Sequence, residues 1–505
     1  MKPNIILITT DQQRKDSMSG YGFSNAQTPH LDRLAKEGVV FERSYCTSPV
    51  CTPSRASLYS GKYVSKHGAW NVGTALPEDE KLLSHRLTEA GYRTHHIGKA
   101  HFQPYLSPLE QSRESILTGW EQNFESFDGP YYGFQTVELA MGHSLYGGCG
   151  HYGMWLKQRS GRTTFEASSD CREKFGGEAY DWQIKESDHS SWWTAERAAV
   201  FLKEQKERAE QPFFLSIGFQ DPHHPHAVPV ERTGKINKSA MQHPQYMEGE
   251  LQDKPPHFEA VHAGDWSPDH PMHGMFPMAG QSSNRFDYRL VHEEDAIKGK
   301  AYYYAMVEMI DEAVGRILQA LNQNELDQNT IIIFTTDHGE LLGDHGIWMK
   351  GPFHYEQLVN IPFIIHGPSY FPAGRADAII SLVDVVPTIL ELCEISIPSG
   401  LDGVSFKQLL LGQSASIRAA ALIEHVDDPG GLRLKTVVTE RYKCTIYYGE
   451  YGKQAGELYD LFEDPAEMIN LWGNAQYNGI KFSMMHLLLQ ELEKLERREG
   501  RDVYA

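Results

Sequence analysis

The chain has 505 residues, 40% of them apolar and 11% aromatic, with a formal net charge of −20. This length favours a large domain with a smaller one beside it rather than a single modest core. The acidic balance excludes a nucleic-acid-binding protein, since phosphate contacts need a basic face, and means that an anionic substrate must be drawn in by a local positive pocket.

Residues 4–10, Asn-Ile-Ile-Leu-Ile-Thr-Thr, are an unbroken apolar run rich in β-branched residues, the pattern of a central parallel strand; Asp11-Gln12 follow. No charged region, apolar region and cleavage site precede this run, so a cytoplasmic location is expected, with no membrane association. No later stretch reaches the length of a membrane-spanning helix. The six cysteines (46, 51, 149, 171, 393 and 444) lack pairing or metal spacing and fit free thiols in a reducing compartment. An amphipathic helix is expected over 28–40. In Cys51-Thr52-Pro53-Ser54-Arg55-Ala56-Ser57-Leu58-Tyr59-Ser60-Gly61-Lys62, Thr52 to Ser54 read as a turn and Ala56 to Tyr59 as a helix start. That reading puts Cys51 at a helix N-terminus, where free N–H groups favour an anion, and Arg55 adds a planar fork of donors.

A helix over 82–91 stops at Gly91, and a strand over 92–97 leads to Gly98-Lys99-Ala100-His101, where alternation would put Lys99 and His101 on one side. Residues 104–192 have little periodicity and read as long loops lining or roofing a site. A helix over 194–207 and a buried strand over 213–219 lead to Gln220-Asp221-Pro222-His223-His224-Pro225. Residues 226–298 read as an irregular insertion, and a long helix over about 299–322 precedes the strand 331–336. After Asp337-His338-Gly339 comes Gly343-Asp344-His345-Gly346-Ile347-Trp348-Met349-Lys350, then a strand over 361–366 and a helix over 384–393 with Asp384 as its cap. Beyond residue 414 the pattern changes to short strands at 418–424, 432–438 and 442–448, suggesting an antiparallel sheet, and a helix over 480–496 with Met484, Leu488, Leu492 and Leu495 as its buried stripe. Arg433 and Lys435 read as a solvated basic edge. The expected fold is α/β: a large, mostly parallel mixed sheet between helices over 1–414, with insertions at 104–192 and 226–298, and a C-terminal α+β subdomain over 415–505.

The strands 4–10 and 331–336 both end Thr-Thr-Asp and are followed by a second potential ligand. Sites in open α/β sheets lie beyond the carboxyl ends of the strands. If the two strands are neighbours, Asp11, Gln12, Asp337 and His338 surround one point. Two carboxylates, an amide oxygen and an imidazole suit a hard divalent cation. A lone Asp is more often a turn residue or cap; the matched pair favours the metal.

The string from Cys51 to Lys62 resembles the signature of the type I sulfatases of the alkaline phosphatase superfamily, Cys-x-Pro-x-Arg followed by Leu and a small-Gly-basic ending. A tyrosine phosphatase loop needs five residues between Cys and Arg, and here there are three. The resemblance extends in order along nearly the whole chain, through Lys99-x-His101, Pro222-His223-His224-Pro225, Gly343-Asp344-His345-Gly346 with Lys350, and Glu457-Leu458-Tyr459-Asp460-Leu461 with Asp464-Pro465. It implies that Cys51 is oxidised by a maturation enzyme to formylglycine, whose hydrate is the nucleophile, and that Asp11, Gln12, Asp337 and His338 hold Ca²⁺. Arg55, Lys99 and Lys350 would neutralise the sulfuryl oxygens, His223 would protonate the leaving alcohol, and His101 would act as base in the second half-reaction. The implied substrate is a sulfate monoester on a sugar or glycan fragment. Gln12 departs from the usual Asp, which leaves Mn²⁺ or Mg²⁺ open and resembles the phosphonate monoester hydrolase branch; Lys99 and His101 favour the sulfatase. A non-catalytic carbohydrate-binding protein on the same scaffold is the alternative from another class.

Overall fold

The computed structural model describes residues 2–496 apart from 24, 162–178, 209, 265–286, 428–431 and 449–454; Cys171 and part of each expected insertion lie outside the described residues. The strands before residue 400 are β1 (Asn4–Thr10), β2 (Val39–Tyr45), β3 (Arg93–Gly98), β4 (Thr136–Met141), β5 (Ala179–Trp182), β6 (Phe213–Gly218), β7 (His226–Pro229), β8 (Thr330–Thr336), β9 (Phe363–His366) and β10 (Gly374–Ser381). Eight of them form one sheet in the order β10-β2-β9-β8-β1-β6-β3-β4. Only β9 runs antiparallel to its neighbours, and β5 and β7 form a separate parallel pair.

The unbroken apolar runs follow from burial on both faces. In β1, Ile5 and Leu7 join Ile331 and Ile333 of β8 in one core, with Leu58, Tyr59, Ile389 and Leu390 against them. Ile6 and Ile8 join Ile332 and Phe334 in the other, under Phe201, Val314, Ile317 and Leu321. The helices Ser190–Lys206 and Glu293–Gln323 supply that second layer. Each fully buried aliphatic side chain contributes about 1.5–3 kcal/mol, which fixes β1 at the centre of the sheet.

The differences from the expected elements lie at sheet edges and chain turns. The first helix ends at Glu37 because Gly38 turns the chain into β2; a Cβ there would lie 2.5 Å from the Ile365 carbonyl oxygen. Strand β10 is exposed along its first half, and β4 carries Glu138 in its middle, so neither reads as a buried run. The supposed loops of 104–192 therefore include edge strand β4 and the helix Gly150–Ser160, which buries only a narrow stripe. Asp384 does not cap the Val385–Leu392 helix through its side chain. Its carboxylate accepts the N–H groups of Ser381 (2.8 Å) and Val404 (2.7 Å) and pairs with Arg418, tying the large sheet to the chain entering the last one.

That last sheet is antiparallel: β11 (Ala421–Asp427), β12 (Leu432–Val438), β13 (Tyr442–Tyr448) and β14 (Gly456–Asp460), in that order. One face, with Ala421, Ile423, Leu432 and Leu434, continues the core of the large sheet. The other, with Leu422, Val437, Cys444 and Leu458, packs on Met484, Leu488 and Leu495 of the helix Asn478–Leu495, while Leu492 is half-buried. Lys435 is paired with Glu424 at 2.5 Å. Among the described residues no helix is long and apolar enough to cross a membrane.

Candidate active site

Strands β1 and β8 are adjacent and parallel, with Thr10 opposite Thr336, so the chain delivers Asp11 and Asp337 side by side. On the other flank β6 pairs with β1, and the Asp11 N–H donates to the Asp221 carbonyl at 3.0 Å. Strand β3 follows β6, and the Lys99 N–H donates to the Gly218 carbonyl at 2.7 Å. This approach needs glycine. Gly98 has φ +94, and a Cβ on it would sit 2.0 Å from the Gly218 oxygen. Four strand ends thus converge at the carboxyl edge of the sheet.

The helix carrying Cys51 begins at Cys51 itself and runs to Ser60, so Thr52 to Ser54 are its first turn rather than a turn before it. Proline costs nothing at that place because the first N–H groups of a helix have no partner within it. All ten residues are buried, and Gly61 closes the helix at φ 70. Ser54 Oγ donates to the Asp337 carbonyl at 2.5 Å and fixes the helix start against β8. Cys51 Sγ consequently lies 3.8 Å from Asp11 Oδ1, 3.4 Å from His338 Nε2 and 3.0 Å from Lys350 Nζ.

Arg55 is fully buried, and three of its five N–H donors go to the protein: Nε to Asp337 Oδ2 (2.7 Å), one terminal nitrogen to the Lys99 carbonyl (2.9 Å), the other to the Thr10 carbonyl (3.2 Å). The guanidinium expected to meet a substrate oxyanion also clamps the ends of β1, β3 and β8. Lys99 Nζ contacts Asp11 Oδ2 and lies 2.6 Å from His143 Nε2. Burial raises the Asp11 pKa, but Lys99, Lys350 and Arg55 outweigh it and hold the carboxyl well below its usual range.

The donor set fits a hard cation. Asp11, Asp337, His338 and Cys51 place one ligand atom each within 4.8 Å of one another. His338 Nδ1 donates to the Gly339 carbonyl at 2.9 Å, which leaves Nε2 as a lone-pair donor; burial, and then Lys350, lower its pKa to about 4 and keep it neutral. Gln12 is oriented by its surroundings. Its Nε2 donates to Glu340 and lies 3.1 Å from His224 Nδ1, so its Oε1 turns inward, where Lys350 Nζ donates to it at 2.8 Å. Its left-handed backbone (φ 69) is held by its N–H on Asp337 Oδ1 (3.0 Å) and by Tyr303 Oη on its carbonyl (2.8 Å).

Lys350 Nζ also donates to His223 Nε2 at 2.7 Å and lies 3.3 Å from His338 Nε2. Burial alone would lower its pKa, but the Asp11 and Asp337 carboxylates nearby favour the ammonium. Burial, then Asp11, pushes the Cys51 thiol up, so the cysteine is protonated. His223 is held well below its usual range by burial, His143 and Lys350. His101 is not brought to this side by strand alternation: its φ of 59 ends the strand geometry, and its ring stacks on Tyr105 at 4.1 Å. Both of its ring nitrogens are buried without a hydrogen-bond partner among the described residues. The structure thus joins Asp11, Gln12, Cys51, Arg55, Lys99, His223, Asp337, His338 and Lys350 by direct contacts, with His101 one ring away at 6.1 Å from His143.

Four site residues escape the sequence reading. His143 stacks on His223 at 3.6 Å and completes a second group of close ligand atoms with Asp11, Cys51 and His223. It follows the carboxyl end of β4, so the strand-end rule finds it once β4 is recognised. His224 and Glu340 orient Gln12, and Glu340 is fully buried with its pKa raised by that burial. Glu114 accepts the N–H groups of His101 (2.7 Å), Phe102 (2.8 Å) and Gln103 (3.2 Å) and the Tyr131 hydroxyl (2.8 Å), fixing the loop that carries His101.

The profile of the Sulfatase family matches residues 3–395, and that of the N-sulphoglucosamine sulphohydrolase C-terminal region matches residues 343–496. An arylsulfatase of Clostridium perfringens is 28% identical over 99% of this chain and 96% of its own length. An N-acetylglucosamine-6-O-sulfatase of Bacteroides thetaiotaomicron is 26% identical over 98% of this chain and 86% of its own. Among solved structures, a protein in complex with its substrate D-glucosamine-2-N,6-O-disulfate superposes with a TM-score of 0.72 at 23% identity, over 98% of each chain. The phosphonate monoester hydrolase of Agrobacterium radiobacter superposes with a TM-score of 0.78 at 24% identity, over 98% of this chain and 96% of that one. At such identities the superpositions establish the fold and do not choose between the two reactions.

Proposed function

The chain belongs to the sulfatase family and is a sulfuric ester hydrolase; from that premise we propose that it removes sulfate from a sulfated saccharide, at a site built around residue 51. The observation that carries the reading is the convergence of Cys51, Lys350, His338 and Asp11 at the start of one buried helix, with Lys99 across from them.

Cys51 is the nucleophile position, converted to formylglycine by a maturation enzyme; a buried thiol whose pKa is pushed up is a poor nucleophile as it stands. Formylglycine supplies a hydrated aldehyde hydroxyl, and a divalent cation, Ca²⁺ in our reading, supplies the charge that favours its ionised form. Asp11, Gln12, Asp337 and His338 hold the cation, and Arg55 fixes Asp337 for that purpose. Lys99 and Lys350 face the sulfuryl oxygens and offset their charge. Lys350 and His223 share a proton across 2.7 Å, and this pair protonates the leaving alcohol at His223 Nε2. His101, neutral and with neither ring nitrogen hydrogen-bonded among the described residues, accepts a proton in the second half-reaction.

The saccharide assignment rests on the two glucosamine-directed relatives and on aromatic residues around the site, including Tyr105. The described cysteines are free, which supports a reducing, cytoplasmic compartment. We read residues 1–414 as the catalytic unit and 415–505 as a subdomain closing its core. The test is sulfate release from sulfated mono- and disaccharides by the formylglycine-bearing, metal-loaded enzyme, run beside an aryl phosphonate. Gln12 favours a second reading, phosphonate monoester or phosphodiester hydrolysis; faster turnover of the phosphonate would establish it in place of the first.

A further inference from the structure

Glu340 follows Asp337-His338-Gly339 and is wholly buried, yet its carboxylate is not among the ligand atoms gathered around Cys51. It is held at its backbone and at both oxygens. Arg14 donates to the Glu340 and Leu341 carbonyls at 3.1 and 2.9 Å, and the Leu342 N–H donates to Glu340 Oε1 at 3.0 Å. Its other oxygen, Oε2, accepts from the Gln12 amide. Burial opposes the charge on Glu340, while these N–H donors and the Lys350 ammonium favour it.

The contacts leave the Gln12 amide one orientation. Its Nε2 meets the Glu340 carboxylate and His224 Nδ1 (3.1 Å), two acceptors for its two hydrogens, and its Oε1 meets the Lys350 ammonium (2.8 Å). Turned over, the amide would set its oxygen against two acceptors and its hydrogens against a cation. Its oxygen is therefore kept on the side where Lys350 Nζ also reaches Cys51 Sγ (3.0 Å) and His338 Nε2 (3.3 Å).

An aspartate at position 12 has no N–H to offer Glu340. Two buried carboxyl groups would face one another and either repel or share one proton. In both cases the exchange brings the site no useful negative charge. Glutamine instead donates to Glu340 and leaves it ionised. Cation affinity follows the charge of the ligand set and the outer partners that orient it.

We infer that Glu340 is a positioning residue for the cation: it aims Gln12 Oε1 and carries the negative charge that a glutamine lacks, so that position 12 and the carboxylate at 340 function as a pair. The inference rests on the reading of Asp11, Gln12, Asp337 and His338 as the holders of the cation.

The test is calorimetric titration of Ca²⁺ into the full chain, at pH 7 and constant ionic strength, for the parent, Glu340→Gln, Gln12→Asp and the double variant, each checked by circular dichroism. Loss of an outer partner lowers metal affinity about 10–100-fold, so Glu340→Gln should weaken Ca²⁺ binding by about tenfold or more. Gln12→Asp should bind Ca²⁺ no more tightly than the parent. With aspartate at position 12, Glu340→Gln should instead tighten Ca²⁺ binding by about tenfold, a reversal of sign that a purely structural role of Glu340 cannot give. The double variant keeps the total charge of the parent; should Glu340→Gln fail to fold, its affinity against that of Gln12→Asp still decides. A Glu340→Gln effect that is absent, or that has the same direction in both backgrounds, overturns the pairing, as does Gln12→Asp binding about tenfold more tightly than the parent. A parent whose Ca²⁺ affinity is unchanged by Asp11→Asn overturns the cation site and this inference with it, a failure read without altering residue 12 or 340.

Discussion

Replacing Arg55 by methionine keeps most of the side-chain volume and removes one fully buried positive charge. In the native protein its Nε lies 2.7 Å from Asp337 Oδ2, and both side chains are wholly inaccessible to solvent. Two further donors end on the carbonyls of Lys99 and Thr10. The variant leaves the Asp337 carboxylate buried with less compensation and two buried carbonyls short of a donor. Breaking a buried pair from one side costs about 3–5 kcal/mol. At about 1.4 kcal/mol per factor of ten, that weakens the folding equilibrium of the catalytic unit by two to three orders of magnitude or more. The assay is urea unfolding at pH 7 followed by tryptophan fluorescence and circular dichroism together, since coincident transitions are needed before a single free energy is assigned to a chain of this size. A double-mutant cycle isolates the cause. Asp337→Asn removes the charge that the missing guanidinium leaves stranded, so Arg55→Met with Asp337→Asn should be more stable than the sum of the two single changes by about 2 kcal/mol or more. An Arg55→Met protein within about 1 kcal/mol of the parent, or strict additivity in the cycle, would refute the idea that the guanidinium is a structural clamp on the Asp337 carboxylate.

Cys51→Ala should abolish sulfate release while leaving the circular dichroism spectrum unchanged, and peptide mass spectrometry of the parent, co-expressed with a maturation enzyme, should show the thiol replaced by an aldehyde; turnover by the alanine variant ends the proposal. Asp11→Asn and Asp337→Asn should each weaken Ca²⁺ binding, read directly by calorimetry, and a Ca²⁺-soaked crystal should show Ca–O distances of about 2.3–2.6 Å around these residues. Lys99→Ala should lower kcat/KM on a sulfated sugar far more than on an aryl phosphonate; equal losses on both remove the reason for ranking the sulfatase reaction first. Burial lowers the pKa of His257 to about 3 and of His425 to about 4, so both fold as neutral imidazoles. A depressed folded-state pKa gives stability that is complete above the unfolded value near 6.5 and is lost as pH falls toward the folded value. Each should therefore withdraw up to about 1.4 kcal/mol per pH unit between roughly pH 6.5 and 4. Unfolding free energies that stay level from pH 7.5 to 5 contradict this.

The residues that meet at the site were largely legible in the chain because most of them follow buried strands, and such strands announce themselves as unbroken apolar runs. Thr9-Thr10-Asp11 and Thr335-Thr336-Asp337 could be paired on paper, since parallel neighbours in register must deliver their next residues side by side. The sequence signature likewise placed Cys51 at a helix start, although the helix begins at Cys51 itself rather than after Pro53. What the chain could not reveal was the use of each side chain. Arg55 is a good anion ligand by composition; only the packing, which surrounds it with Asp337 and two strand-end carbonyls, makes it a clamp. His143 follows an edge strand paired on one side only, whose mixed pattern gives no periodic signal, and its place beside His223 depends on chain segments about 80 residues apart. Glu114 and Glu340 look like ordinary surface acids until the fold buries them against N–H groups and the Gln12 amide. Local pattern determines which elements form and what their ends carry, because burial periodicity is written residue by residue. Burial of a particular charge and the identity of its partner are decided by contacts across the whole chain, and these exist only in the folded structure.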